Sequence, residues 1–164
     1  MTSPASAAQP AVERTTPPLL LVKIANPVLR RLLASPLHGL LDRHLALLHL
    51  TGRHTGRRFD IPIGYHDIDG VTTVFTNSTW RCNLRGGADV ELTFRGRRRP
   101  AYATLVEDPD TVAGVYGGII ERLGWQSAQR RLGITIHVRR TPTIDELRDA
   151  IRAAGLSLVH ITWR

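Results

Sequence analysis

One cysteine, Cys82, stands among the 164 residues, so no disulfide forms within the chain and an intracellular, cytoplasmic setting is the default expectation. Lysine is equally scarce: of 22 basic residues, Lys23 is the single one that is not arginine. No apolar run approaches the roughly 20 residues that cross a bilayer as a helix. The opening stretch MTSPASAAQPAVERTTPP lacks a basic region followed by an apolar core, so it does not read as a signal peptide. Residues 1–17 are expected to be a disordered lead-in, and 18–164 a single domain with an N-terminal amphipathic helix. HExxH, paired CxxC, GxxxxGK[ST] and GxSxG are all missing, which removes zincin, zinc-ribbon, P-loop and nucleophile-elbow chemistries. The seven histidines are scattered, and no metal site is predicted.

What the chain does have is positive charge and two kinds of apolar period. The 22 Lys and Arg outnumber 14 Asp and Glu for a formal net charge of +8, which draws phosphates, carboxylates, anionic lipid or nucleic acid. Asn26-Pro27 reads as an N-cap and first helical residue, and Leu29, Leu32, Leu33, Leu37, Leu40 and Leu41 follow at spacings of three and four. That stripe suits a core-covering helix, or one lying in a membrane interface with Arg30 and Arg31 at its polar side.

The period then changes to two. Leu45–Thr51 and Phe59–Tyr65 read as strands, and Asp69-Gly70 as a hairpin turn into Val71–Phe75. Val90–Phe94 turns through Arg95-Gly96-Arg97 into Ala101–Glu107. Asp108-Pro109-Asp110 opens a helix to about Leu123, and Trp125–Leu132 is a shorter helical segment. Ile134–Val138 is a strand, Thr143 with Glu146 forms a capping box for a helix ending at Gly155, and Leu156–Trp163 closes the chain as a strand. Short turns between antiparallel strands, with helices around them, predict an α+β barrel that is closed or partly closed.

Between the first two strands lies Thr51-Gly52-Arg53-His54-Thr55-Gly56-Arg57-Arg58. Two glycines permit positive φ and close backbone approach, and the amides of such a turn can form an anion nest. Arg53, Arg57 and Arg58 bring forked donors suited to phosphate or carboxylate. Read on residues alone, the turn is either a solvated charged connection or an anion site. Nucleic acid is disfavoured, because only Phe59 and Tyr65 interleave with the cations.

Leu47-Leu48-x-x-Thr51-Gly52-Arg53-x-Thr55-Gly56 followed by Pro62, and Trp80-Arg81-Cys82-Asn83-Leu84 before a strand, together resemble the deazaflavin-dependent nitroreductase family. The resemblance covers roughly Leu45 to Glu107. It implies a split β-barrel of the flavin-reductase type, a homodimer, and hydride transfer from reduced coenzyme F-420 to a quinone or nitro-type acceptor. Arg53, His54, Thr55, Gly56, Arg57 and Arg58 are then expected to hold the cofactor's anionic tail, with Pro62 a further cofactor-binding candidate. Asn77, Ser78 and Trp80 are expected near its ring, with Tyr65 and Tyr116 as proton-donor candidates. The chain departs from the family pattern at His54, where a lysine is usual, and between Asn77 and Trp80, where only Ser78-Thr79 remains of a longer loop. FMN, or no cofactor, is the alternative ligand state. The alternative functions are a non-enzymatic binder of a hydrophobic anion (fatty acid, lipid or haem) on the same barrel, and a basic module for a nucleic acid or protein partner. Peripheral membrane contact fits the N-terminal helix.

Overall fold

The computed structural model describes residues 10–14, 27 and 44–164. The amphipathic helix expected over Asn26–Leu41, and the membrane contact expected of it, lie outside them apart from Pro27. Contacts divide the chain into two compact units, one within Pro17–Glu107 plus Ser157–Arg164, the other within Met1–Thr16 plus Asp108–Leu156.

The first unit is a seven-stranded antiparallel sheet. Its strands are β2 (Leu45–Thr51), β3 (Arg58–Gly64), β4 (His66–Ile68), β5 (Val71–Thr76), β6 (Ala88–Phe94), β7 (Arg97–Val106) and β9 (Ser157–Trp163), in the order β3-β2-β6-β7-β9-β5-β4. Strands β3 and β4 stand at opposite ends of that order, yet only Tyr65 separates them. The first half of the 58–68 stretch pairs with β2 and the second half with β5, so the sheet curls back on itself as a split barrel. The α+β split-barrel class read from the sequence is the observed one. Tyr65 makes the corner: its N–H donates to the His44 carbonyl at 2.8 Å and its side chain packs against the core.

The period-two pattern explains the interior. Ala46, Leu48 and Leu50 of β2, Ile63 of β3, Val74 of β5, Val90 and Leu92 of β6, Ala101 and Ala103 of β7, and Val159 and Ile161 of β9 form one buried cluster. Each fully buried aliphatic chain contributes about 1.5–3 kcal/mol relative to exposure. Two two-residue turns close hairpins as the twist of the strands requires: Asp69-Gly70 with φ of 52° and 82°, and Arg95-Gly96 with φ of 48° and 71°. A 3-10 helix, Thr79–Leu84, leads from β5 to β6 and buries Leu84.

The second unit carries α1 (Pro109–Leu123), α2 (Trp125–Leu132) and α3 (Ile144–Ala154) with a two-stranded sheet of β1 (Val12–Arg14) and β8 (Ile134–Ile136). Asp108 caps α1 by accepting from the Thr111 amide at 2.9 Å, and Thr143 with Glu146 forms the expected capping box on α3. β1 corrects the expectation of a disordered lead-in at this point. Val12 is buried and pairs with Ile136, and the His137 amide donates to the Ala11 carbonyl at 2.8 Å. Three residues carry too short a period to register as a strand in the sequence, and their partner lies more than a hundred residues away. β8 is also shorter than expected, ending at Ile136 instead of Val138.

Candidate functional site

The basic turn is a closed, internally bonded loop. The Gly52 N–H donates to the Arg57 carbonyl at 2.8 Å, and the Gly56 N–H returns to the Gly52 carbonyl at 2.9 Å. Gly56 sits at φ 64°, the left-handed region that favours glycine. Gly52 is needed for space: a Cβ there would lie 2.9 Å from Phe59 Cε2 and 3.2 Å from Thr55 Oγ1.

The turn is tied to the second motif across 30 residues. The Arg53 amide donates to Asn83 Oδ1 at 3.1 Å, and Arg53 Nη1 donates to the Arg85 carbonyl at 2.5 Å. Asn83 Nδ2 donates to the Trp80 carbonyl at 2.9 Å, so one amide side chain spans the turn and the 3-10 helix. Arg85 makes a bidentate pair with Glu107 at 2.8 and 2.9 Å. That bond, more than the charge behind it, holds the Glu107 carboxyl below the usual carboxylate range. Arg81 donates to the carbonyls of Asn77 and Ser78 at 2.6 and 3.0 Å.

What this leaves over is cationic. Arg53, Arg57 and Arg58 meet no carboxylate among the described residues, and His54 is exposed beside them. Arg57 lies over the Phe59 ring at 5.8 Å. The N–H groups of His54 and Thr55 find no acceptor among the described residues. Two open amides and three uncompensated guanidinium groups at one turn are the chemistry of an anion site.

A groove of about 360 Å³ adjoins it on the outer face of β3, β2, β6 and β7. Arg58 and Phe59 belong to both turn and groove, which His49, Asp60, Glu91 and Arg98 also line. His49 is the most structured of these groups. Its Nδ1 lies 2.6 Å from Asp60 Oδ1 and its Nε2 2.8 Å from Thr93 Oγ1. With Asp60 ionised, Nδ1 carries the proton and donates it, and the Thr93 hydroxyl donates to Nε2. Glu91 pairs with Arg98 at 2.5 Å, and Asp89 with Arg164 at 2.8 Å.

The structure therefore brings together Arg53, His54, Thr55, Gly56, Arg57 and Arg58, and joins them to the Asn77–Arg85 segment. Trp80 is half-buried against the barrel core, Ser78 is exposed, and Pro62 is half-buried on β3. Asn77, Ser78 and Trp80 do not line the groove. Tyr65 is not brought to the turn: it lies at the opposite end of β3, seven residues or about 20 Å of strand away. Tyr116 is in the helical unit, 1% exposed on α1. Cys82 is half-buried on the 3-10 helix. Among the described residues no cluster of three or more His, Cys, Asp or Glu side chains is placed to hold a metal ion. No helix among them is long and apolar enough to cross a membrane.

Sequence reasoning missed Asn83 and the His49–Asp60–Thr93 group. Asn83 carries no local signal for its bond to the Arg53 amide, which lies 30 residues away. His49 and Asp60 had a signal: once Thr51 pairs with Arg58 across the turn, simple counting puts His49 opposite Asp60.

No protein-family model matches the chain, and no curated protein matches it. Among solved structures, one described as a domain-swapped dimer is similar at 12% identity and TM-score 0.43, covering 87% of this chain and 96% of its own. A conserved hypothetical protein from Mycobacterium tuberculosis is similar at 18% identity and TM-score 0.43, covering 84% and 79%. At those values neither neighbour informs the site.

Proposed function

We propose that this protein binds a coenzyme with an anionic tail at the 52–58 turn and works as an oxidoreductase of the deazaflavin-dependent type. The observation that carries the reading is the turn itself: a loop pinned by Asn83 and by the Arg85 carbonyl, with two amides and three arginines that meet no acceptor and no carboxylate, respectively, among the described residues. A phosphodiester or glutamate chain meets those donors in the way a preformed anion site requires. The adjoining groove takes the head group, because Arg58 and Phe59 border both spaces. Such a coenzyme, held by these residues and reduced, would supply the hydride. The chain's own residues anchor the tail and orient the head. They also offer an imidazole, His49, whose ring is oriented by Asp60 and Thr93 on the groove wall. The hydrophobic-anion alternative gains nothing from the barrel interior, which the side chains of the core cluster occupy.

The roles of the arginines differ. Arg53 spends its amide and one guanidinium nitrogen on the loop's own structure, and Arg57 its amide on Thr55 Oγ1, whereas the guanidinium groups of Arg57 and Arg58 make no hydrogen bond among the described residues and are left for a ligand. The test is a fluorescence titration with oxidised coenzyme F-420, with FMN in parallel. Saturable micromolar binding is expected, weakened about tenfold by Arg58→Ala, the scale of one charge-assisted contact at an exposed site. Absence of saturable binding to either flavin refutes the proposal.

A further inference from the structure

The β6–β7 hairpin carries a second cationic surface, at the end of the barrel away from the turn, and of its arginines the coenzyme reading uses only Arg98. Residues 95–99 read Arg-Gly-Arg-Arg-Arg, and all four arginines are exposed. The pairing of β6 and β7 sorts them by face. Phe94 pairs with Arg97 and Leu92 with Arg99, so Arg97 and Arg99 share the face that further along the strands is the barrel interior. Arg98 pairs with Thr93 on the other face, where it binds Glu91. Strand β9 ends with Trp163 opposite Ala101, so the last four residues of the hairpin arm run on past it. Their inner face is left to Phe94, Trp163 and the arginines.

That face is amphipathic in a specific way. Trp163 is 39% exposed, packs beside Phe94 at 6.2 Å between ring centres, and fixes its indole N–H on Thr72 Oγ1 at 3.2 Å. Arg95 covers the Phe94 ring at 5.0 Å. Arg95, Arg97 and Arg99 meet no carboxylate among the described residues, in contrast to Arg98. Arg95 also holds φ 48° in a turn position where Asn, Asp or Gly is the unstrained choice. A cation is kept at the tip at a cost in backbone energy.

We infer that this hairpin end of the barrel docks on an anionic phospholipid surface, with Trp163 at the headgroup level and Arg95, Arg97 and Arg99 on the phosphates. An indole with one wet and one apolar side, beside arginines that meet no carboxylate among the described residues, is the composition of an interfacial anchor. Single-stranded nucleic acid fits less well. It needs successive open ring faces, whereas Arg95 covers Phe94 and Tyr65 packs edge-on against it at 5.5 Å, leaving Trp163 as the open ring.

The test is flotation of the full chain with vesicles of phosphatidylcholine alone and of phosphatidylcholine mixed with phosphatidylglycerol. Binding is expected to the anionic vesicles only and to weaken with added salt. The triple change Arg95→Gln, Arg97→Gln, Arg99→Gln should lower the partition coefficient about 100-fold or more, at about 1 kcal/mol per arginine near the surface. Arg98→Gln, on the other face, should leave it unchanged. Vesicles with brominated acyl chains should quench tryptophan emission in the wild type and much less in Trp163→Phe, which reads depth independently of affinity. The inference is overturned if anionic vesicles are not bound, or if the triple variant binds as the wild type does. It is equally overturned if a single-stranded oligonucleotide, and not the vesicle, shows the arginine dependence.

Discussion

Asn83→Ala cuts the join between the basic turn and the 3-10 helix without touching a charge. The Asn83 side chain is half-buried and makes two hydrogen bonds, accepting from the Arg53 amide at 3.1 Å and donating to the Trp80 carbonyl at 2.9 Å. A typical intramolecular bond contributes about 0.5–1.5 kcal/mol net, and the Arg53 amide, being exposed, recovers a water when its acceptor goes. The expected loss is therefore about 1–2 kcal/mol in urea unfolding, or a fall in Tm of about 2–8 °C for a chain of this size. The same change frees the Arg53 amide from its anchor, so the turn samples more shapes and coenzyme binding should weaken together with stability. Asn83→Asp separates the two effects. It keeps the acceptor for the Arg53 amide, loses the donor to Trp80, and adds a negative charge beside Arg53. Stability should fall less than in Asn83→Ala, and anion binding should fall more. Unfolding free energies within about 0.3 kcal/mol of wild type for Asn83→Ala would refute the argument that this side chain holds the turn.

Four further outcomes are expected. Leu48→Ala, at a fully buried position in the barrel core, should cost about 2–5 kcal/mol in chemical denaturation, because the cavity it leaves is walled by β-strands that collapse poorly. Arg95→Asn should stabilise the protein by about 1 kcal/mol by relieving the left-handed strain, while lowering anionic-vesicle binding, a trade visible by running both assays on one preparation. Gly87→Ala should be strongly destabilising: φ is 82°, and the added Cβ would stand 2.0 Å from the Tyr102 hydroxyl oxygen, so thermal melts should show a large loss that Tyr102→Phe only partly restores. Glu146 has its carboxyl held down to about 2, first by the Arg140 guanidinium and then by the Thr143 amide. Its folded value lies below the unfolded one, so its contribution is complete above the ordinary carboxylate range and is lost as pH falls toward 2. The stability gap between wild type and Glu146→Gln should therefore be widest near neutral pH and close in acid, as read from melts across that range.

Local order was legible in the chain because it depends on neighbours in sequence. The apolar run of β2 and the alternation of Phe59, Ile61 and Ile63 in β3 mark strands, Asp69-Gly70 can reach the positive φ values its hairpin demands, and Thr143 with Glu146 caps a helix through bonds spanning three residues. The basic turn, too, was visible as a run of cations between glycines. None of these signals says which distant segment a strand meets. That β9 slots between β7 and β5, and that the 58–68 stretch closes the barrel around Tyr65, follow from burying one shared apolar face, a property of all the strands at once. Val12–Arg14 becomes a strand only because Ile134–Ile136 offers it an edge. His49 meets Thr93 across 44 residues because the register of β2 on β6 places them there, and Arg53, in the turn after β2, meets Asn83 on the 3-10 helix that leads into β6. The sequence alone determined most of the strands, the caps and the presence of a cation-rich turn. The tertiary structure decided which of its arginines build the loop and which meet no carboxylate or carbonyl among the described residues, since hydrogen-bond partners are assigned by packing and not by order along the chain.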